Sequence, residues 1–168
     1  MRYLQTAAEL NVMQGNIRMN YEDFLRLVDE YQSSFRHERL ERFEFGLPYD
    51  LFPDVSESIF EQVIRWPNPW PLPSRAGVYA FLDQQKKILY VGKASFRNSL
   101  AARLSSYCRY ESGRGSSCKL NHIWKNSPRY IVIVAVPESS RFEAAALEEF
   151  LISKIQPIEN SVGIEGMA

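Results

Sequence analysis

Residues 77 to 94 read GVYAFLDQQKKILYVGKA, and this stretch decides the fold. Two short runs rich in β-branched and aromatic residues, Gly77 to Leu82 and Ile88 to Val91, flank the polar turn Asp83 to Lys87. Such runs around a short polar loop are typical of an antiparallel β-hairpin. Further along, the uninterrupted apolar run Tyr130 to Val136 predicts a central strand. We therefore expect a small three-stranded sheet, made of a hairpin plus one central strand.

Helical patterns flank the predicted sheet. A helix is expected from about residue 98 to 107, with Leu100, Leu104 and Tyr107 on its core face. A short helix is expected over 120–125, and a longer one from 142 to 155. The alternation of strands and helices without a parallel repeat predicts an α+β fold.

The N-terminal part predicts a helical extension. Asn20 suits the cap of a helix that runs to about Phe35, and Asp54 followed by Glu57 resembles the cap of a second helix. The sequence PNPWPLP at 67–73 is rich in proline, which favours extended backbone and predicts a stiff connector. The predicted organisation divides the chain into four parts. These are an acidic helical extension over 1–66, a proline-rich connector over 67–74, an α+β domain over 75–162 and a C-terminal tail over 163–168.

Composition excludes several classes of protein. With 45% hydrophobic and 24% charged residues, the chain of 168 residues is close to the globular average, which argues against disordered, collagen-like and coiled-coil proteins. No apolar run approaches the roughly 20 residues of a membrane-spanning helix, and the opening MRYLQTAAEL lacks the layout of a secretory signal. We expect a cytoplasmic protein with no membrane partner, whose two cysteines are free thiols.

The formal net charge of zero hides an uneven distribution. Residues 1–75 carry a net charge of minus 4, residues 76–168 carry plus 4, and residues 84–129 hold ten basic side chains against the single acid Glu111. A block of this kind creates a local positive field that attracts a polyanion. A solvated face balanced by the acidic N-terminal part is the alternative interpretation.

Glu148 is the most informative single residue. Its neighbours one helical turn away on the last predicted helix are apolar: Ala144, Ala145, Leu151, Ile152 and Ile155. A carboxylate on an apolar face is costly unless it is paired or binds a cation. A salt bridge to a nearby arginine is the structural alternative. Glu143 and Glu149 lie toward the other side of that helix and are expected to be solvated.

Three further residues are candidates for chemistry. Arg103 lies at the edge of the buried stripe of its helix, from where it can reach over the hairpin. Tyr79 and Tyr90 lie in the paired strands, near Gly77 and Gly92, and glycine in a strand lets another backbone or a ligand approach closely. Core packing is the alternative for both tyrosines.

Taken together and in order, these elements resemble the GIY-YIG nuclease superfamily. The elements are GVY at 77–79, YVG at 90–92, Lys93 directly after it, Arg103, Glu148 and Asn160. The stretches YVGKA, RLSSY and EAAALEEFLISKIQPIEN look like the N-terminal nuclease module of UvrC-type excision-repair endonucleases. The resemblance covers about residues 75–162, which would make this part a GIY-YIG nuclease domain with Gly77 and Gly92 as structural motif residues.

The resemblance implies a metal-dependent site. It makes Glu148 the ligand of one divalent cation, magnesium with manganese as a substitute, and one carboxylate suits a one-metal mechanism. Arg103 would bind the scissile phosphate. Asn160 would orient Glu148 or a metal-bound water.

The tyrosines would act on the attacking water. By resemblance, Tyr79 would position or deprotonate this water, with Tyr90 beside it. Because a free tyrosine has a pKa of about 10, a base role requires a nearby cation, and Lys93 is the candidate.

DNA is the expected partner of the basic block. The candidate DNA-binding residues are Arg97, Arg109, Arg114 and Lys119, three of them in a glycine- and serine-rich segment at 109–120 that suits phosphate contacts. An ordinary surface loop is the alternative. Cys108, Cys118 and His122 match no usual zinc spacing.

The sequence therefore predicts a magnesium-dependent DNA endonuclease of UvrC-like nicking or repair type. A small restriction or mobile-element endonuclease is an alternative, and cutting both strands would call for a dimer. A catalytically silent nucleic-acid-binding module of the same fold is a second alternative. An interaction protein whose acidic N-terminal segment binds a partner or covers the basic face is a third.

Overall fold

The computed structural model describes residues 18–110 and 117–160. Its first part contains helix α1 (Tyr21–Phe35), strands β1 (Glu44–Phe45), β2 (Tyr49–Asp50), β3 (Ile64–Arg65), β4 (Gly77–Leu82) and β5 (Ile88–Ala94), and helix α2 (Leu100–Tyr107). Strands β6 (Cys108–Tyr110), β7 (Cys118–Leu120) and β8 (Tyr130–Ala135), a 3₁₀ turn (Glu138–Ser140) and helix α3 (Glu143–Ile155) follow. Within these residues, no helix combines the length and the apolar character that a bilayer span requires.

The main sheet confirms the α+β class and contains the predicted hairpin and central strand. Strand β4 pairs antiparallel with β5 on one side and with β8 on the other. The order across the sheet is β3-β2-β8-β4-β5, and β1 also pairs with β8. The sheet has six strands instead of the expected three, because three two-residue strands from the N-terminal part add to it. Strand β5 forms the outer edge at the far end from these additions.

Gly77 is required by the close approach of two strands. It pairs with Ala135 across the β4–β8 ladder, and a Cβ atom at position 77 would lie 2.1 Å from the carbonyl oxygen of Val134. A backbone atom cannot yield by rotating, so a side chain here would push β4 away from β8. Gly77, the glycine of the GVY motif, is therefore required for the pairing of β4 with β8.

The strands separate two apolar layers because successive side chains point to opposite faces. Val78, Ala80 and Val91 face helices α1 and α3, whereas Tyr79 and Phe81 face helix α2. Two of the three helices predicted for the second half are confirmed, at α2 and α3. Helix α1 is confirmed too, since it begins after an Asn20 cap with a reciprocal Asp23 contact.

The second helix predicted for the N-terminal part is wrong. Residues 51–63 form turns and bends between β2 and β3. The cause is a buried ion pair: Arg129 binds Asp50 at 3.1 Å, and the same guanidinium group donates to the backbone oxygen of Ser56 at 2.6 Å. These bonds hold the loop against the sheet in a shape that a helix cannot adopt.

Two other local predictions differ from the structure. The short helix expected over 120–125 is absent: β7 ends at Leu120 and bends follow, because Asn121 bonds back to the end of α2 at the Tyr107 oxygen. The segment expected as a loop after α2 begins and ends as the antiparallel pair β6–β7. Its central residues, 111–116, lie outside the described residues.

The proline-rich connector is anchored along its length. Trp70 packs on Tyr49 with ring centroids 4.4 Å apart, and its indole nitrogen donates to Ser105 on α2 at 3.1 Å. The tyrosine hydroxyl in turn donates to the backbone oxygen of Asn68 at 2.5 Å. The connector therefore joins β2 to α2, while the proposed domain boundaries stay a prediction.

A second buried ion pair links the N-terminal helix to the last one. Glu143 accepts from Arg36 at 3.0 Å and from the Ser140 hydroxyl at 2.8 Å. Glu143 is only 9% exposed, so its expected solvated position is wrong. The expectation for Glu149, which is exposed, is confirmed. The extension is thus docked on the sheet and on α3 through buried charges.

We expect the Asp50–Arg129 pair to be critical for stability. Replacement of Arg129 by alanine leaves the fully buried Asp50 carboxylate unpaired, which should lower the free energy of unfolding by about 3–5 kcal/mol. Urea denaturation followed by circular dichroism measures this loss. The matched control is Arg42→Ala, which removes an exposed pair with Asp29 and should cost less than about 1 kcal/mol. Equal losses for both variants would contradict the prediction.

Candidate active site

A cavity of about 650 Å³ opens beside the outer strand β5 and helix α3. Four of the predicted site residues line it: Tyr90, Lys93, Glu148 and Asn160. Because β5 is an edge strand, side chains from both of its faces reach this opening. The fold therefore brings together residues that are 70 positions apart in the sequence.

Glu148 and Lys93 form an ion pair at the cavity. The lysine ammonium group makes a short hydrogen bond to Oε2 of the glutamate. The Glu148 side chain is 16% exposed, as its helical neighbours predict, and the Lys93 side chain is 37% exposed. The partner of the carboxylate is thus a lysine from the neighbouring strand, where the sequence suggested an arginine.

Three tyrosine hydroxyl groups form a chain that ends at the cavity. Tyr79 is fully buried and donates to the hydroxyl of Tyr107 at 3.4 Å, which donates to the hydroxyl of Tyr90 at 3.2 Å. Sequence reasoning placed Tyr107 only in the core of its helix. Its position four residues after Arg103, on the same face of α2, is the signal that could have identified it.

The environment keeps these phenols protonated. Burial, followed by the hydrogen bond with Tyr107, raises the pKa of Tyr79 and of Tyr90 well above the ordinary tyrosine value. Glu148 contributes to the raised pKa of Tyr90. Arg103 is the cation that partly offsets this rise by lowering the pKa of both tyrosines, whereas Lys93 binds Glu148, and the expected effect of Lys93 on Tyr79 stays a prediction. At neutral pH the tyrosines are hydrogen-bond donors.

Gly92 leaves room for this arrangement. It lies opposite Tyr79 in the β4–β5 pair, and a Cβ atom at position 92 would lie 2.6 Å from the Tyr79 hydroxyl oxygen and 2.8 Å from the ring of Tyr90. Any other residue would force the two rings apart. Gly92, the glycine of the YVG motif, is therefore required for the packing of Tyr79 and Tyr90.

Arg103 lies on the exposed side of the same cluster. Its guanidinium carbon is 5.8 Å from the centre of the Tyr107 ring. The neighbouring Tyr79 phenol is the first of the causes that raise the pKa of Arg103. An exposed and permanently charged group beside the tyrosine chain is free to meet an anion from solvent.

Asn160 holds strand β5 in place. Its side-chain amide donates to the Val91 carbonyl oxygen at 2.8 Å, and its amide oxygen accepts from the Val91 nitrogen at 2.9 Å. Because both amide atoms are used on the backbone, the expected contact with Glu148 is not made. At the free edge of β5, the Asn160 side chain makes the two backbone hydrogen bonds that a neighbouring strand would otherwise make. These bonds hold the part of β5 that carries Tyr90 and Lys93.

Three of the four predicted DNA-binding residues are described, and they fall in two places. Arg109 and Lys119 are exposed and face each other as partners in the β6–β7 pair. Arg97 is exposed in the loop between β5 and α2. Arg114 lies outside the described residues. The structure thus juxtaposes one basic pair and leaves Arg97 on a separate loop.

Two aromatic residues of the cavity were missed. His122 and Trp124 line it, with ring centroids 5.1 Å apart, and Trp124 rests on Phe81 at 4.8 Å. The indole nitrogen of Trp124 is buried and has no hydrogen-bond partner among the described residues. The predicted helix over 120–125 concealed them, since it would have turned the two rings in different directions.

Comparison with known proteins agrees with this geometry. A family model for the UvrC-like GIY-YIG domain matches residues 75–161. The UvrABC system protein C of Wolinella succinogenes is 34% identical over 90 residues, covering 53% of this chain and 14% of the relative. The protein of the same name from Borreliella burgdorferi is 35% identical over 103 residues, covering 61% of this chain and 14% of the relative.

A third relative is similar to the same part of the chain. The UvrABC system protein C of Methanothermobacter thermautotrophicus is 33% identical over 96 residues, which is 57% of this chain and 15% of the relative. This chain thus spans only a small part of the length of the curated relatives it matches. The matched segment contains all six predicted catalytic positions. The chain belongs to the UvrC-like GIY-YIG family and carries an endonuclease domain of that type.

Proposed function

We propose that this chain nicks DNA by hydrolysing a phosphodiester bond in the cavity beside β5. The observation that carries the proposal is the convergence of a paired carboxylate, a lysine and a chain of phenol donors at one opening, with a free guanidinium group nearby. These groups can hold a phosphate and an attacking water in a fixed relation. A role in DNA repair in the cytoplasm is part of the proposal and is supported by the similarity to the relatives named UvrABC system protein C.

The residues present fit one hard divalent cation. Glu148 uses one carboxylate oxygen for Lys93, and its other oxygen has no hydrogen bond within residues 18–110 and 117–160. Those residues contain no group of three or more potential ligands that could form a metal cage. One carboxylate supplemented by water and phosphate oxygens is a usual environment for magnesium, which manganese could replace. Bound there, the cation would supply charge that stabilises the leaving oxygen.

Lys93 and Arg103 supply positive charge on two sides of the cavity. Lys93 orients the Glu148 carboxylate through their ion pair and places an ammonium group at the opening. Arg103 presents a planar set of donors that matches the oxygens of a phosphate. Together they offset the negative charge that develops on phosphorus-bound oxygens during hydrolysis.

The tyrosine chain positions the water without removing its proton. Tyr79 donates to Tyr107, and Tyr107 donates to Tyr90. The Tyr90 hydroxyl accepts in this chain, so its own proton can be donated to a group in the cavity. Since burial keeps the phenols protonated, this hydroxyl acts as a donor at neutral pH. Tyr79 and Tyr107 are positioning residues that fix its orientation.

Nicking distinguishes the proposed activity from restriction. The proposed site residues meet at a single cavity, so one binding event cuts one strand, whereas cutting both strands would need a second copy. A supercoiled plasmid should become an open circle before any linear form appears. Direct conversion to discrete linear fragments would favour the restriction alternative.

Replacement of Glu148 by glutamine should abolish magnesium-dependent nicking while leaving DNA binding intact. The uncharged amide cannot hold the cation, so the rate should fall at least about 100-fold. Plasmid nicking and fluorescence anisotropy with a labelled duplex measure the two properties. The matched control is Glu61→Gln, which makes the same change at an exposed position in the loop between β2 and β3, outside the cavity lining, and should leave the rate unchanged. A Glu148 variant that nicks at the wild-type rate would contradict the assignment.

The raised pKa of Tyr79 should appear as a pH dependence of stability. Above pH about 10 the unfolded chain releases the tyrosine proton while the folded chain keeps it, so stability is full below this pH and falls as the pH rises. Tyr79→Phe removes this group and should flatten the fall. Urea midpoints at neutral and alkaline pH, wild type against variant, measure the difference. Identical slopes would show that the phenol is not protected.

The Arg109 and Lys119 pair should bind phosphates without reading sequence. Replacing both by alanine should weaken binding to every duplex and reduce the salt slope by about 0.9 for each lost phosphate contact. Anisotropy titrations in EDTA over a range of salt concentrations measure this slope. Arg42→Ala, which removes one exposed arginine from the N-terminal part, is the control and should leave it unchanged. An unaltered slope in the double variant would remove the pair from the interface.

A further inference from the structure

Two phenylalanine rings project into solvent near the cavity. Phe96 is 77% exposed in the loop between β5 and α2, and Phe142 is 67% exposed just before α3. Phe96 follows Lys93 by three residues. Phe142 precedes Glu148 by six residues, which is about 9 Å along a helix axis. Each ring is thus close along the chain to a residue that lines the cavity, Lys93 for Phe96 and Glu148 for Phe142.

The backbone of Phe96 is in a conformation that bulky residues avoid. Its φ angle is +56°, in the left-handed region where glycine and asparagine are usual. Core packing can hold a buried residue in a strained backbone conformation. The Phe96 ring is mostly exposed, so core packing does not explain its backbone conformation. Strain of this kind at an exposed aromatic side chain indicates a functional role.

Arg141 braces the loop from the other side. Its guanidinium group donates to the backbone oxygen of Phe96 at 2.9 Å and to that of Asn98 at 3.4 Å. A second nitrogen binds Glu138 at 2.9 Å. Because Arg141 directly precedes Phe142, these bonds hold the two phenylalanines at one end of the domain. The loop is thus ordered before any partner arrives, which reduces the entropy cost of binding.

The charge beside these rings favours a nucleic acid as the partner. Arg97 follows Phe96, is exposed, and forms no ion pair with any residue that the structure describes. A free cation next to exposed aromatic rings is the combination that binds a phosphate backbone together with its bases. In paired DNA the bases are stacked on one another and offer no free face to a ring. An exposed ring therefore gains most from bases that are unpaired or unstacked.

We propose that Phe96 and Phe142 form a stacking wedge that selects DNA with unpaired bases beside the bond to be cut. The proposal rests on the nuclease function proposed above and specifies its substrate class. Arg97 would hold the phosphate next to the stacked base, and Arg141 would keep the loop in shape. A preference for distorted DNA then follows from the protein surface and needs no reading of base sequence.

Binding in EDTA tests this wedge without cleavage. Two labelled duplexes are compared by fluorescence anisotropy, one fully paired and one with a short unpaired bubble that contains 2-aminopurine. Wild-type protein should bind the bubble more tightly and change the 2-aminopurine fluorescence. The double variant Phe96→Ala with Phe142→Ala should lose about tenfold in affinity for the bubble, the effect of removing one stacked base, and little for the paired duplex.

Three further variants keep the test decisive. Phe96→Asn removes the ring but suits the left-handed backbone, so it should reproduce the loss without unfolding, as urea denaturation would verify. Phe96→Trp keeps an aromatic ring and should retain the preference. Phe35→Ala removes a ring of similar exposure, 66%, that packs on Phe150 instead, and it should leave DNA binding unchanged.

Each outcome supports or overturns the wedge. An equal loss on both duplexes, or no loss on either, would overturn it, and wild-type self-association that depends on Phe96 would assign the patch to a second copy of the chain. If the wild type cleaves DNA but its preference does not depend on these rings, only the wedge fails. If the preference depends on the rings but no protein cleaves, the wedge stands and the proposed nuclease function fails.

Discussion

The pairing of Tyr79 with Gly92 across strands β4 and β5 is the constraint on which the site depends. The tyrosine hydroxyl lies where a side chain of residue 92 would otherwise be, only 2.6 Å from that position. This vacancy lets Tyr79 bend toward Tyr107 and join the chain of hydroxyl groups that reaches Tyr90. A register shifted by one residue would turn every side chain of β5 to the other face and separate Lys93 from Glu148.

Strand β5 lies at the edge of the sheet, and the cavity opens beside this edge. The amide of Asn160 occupies the backbone groups of Val91 that a further strand would otherwise bind. The edge is thereby protected from pairing with another chain, and the two faces of β5 remain accessible. Each face then contributes one residue to the cavity, with Tyr90 on one face and Lys93 on the other.

The N-terminal part packs against the sheet and helix α3, and buried ion pairs hold it there. Arg129 with Asp50 and Arg36 with Glu143 connect it to the sheet and to α3. Buried pairs of this kind contribute little net stability when intact but are costly to break. The two pairs have opposite polarity, since the N-terminal part supplies the acid of the first and the arginine of the second. Its short strands extend the sheet on the side away from β5, so the cavity stays open.

The sequence by itself determined the hairpin, the central strand, helices α1, α2 and α3, and the carboxylate on the inner face of α3. Local periodicity carries this information, because each element buries one face. Only the tertiary structure decided that residues 51–63 are not helical, that Glu143 is buried, and that Lys93 pairs with Glu148. These outcomes depend on partners from 55 to 107 residues away, such as Arg36 for Glu143. Desolvation and long-range ion pairs have no local pattern, so they emerge only once the chain is folded.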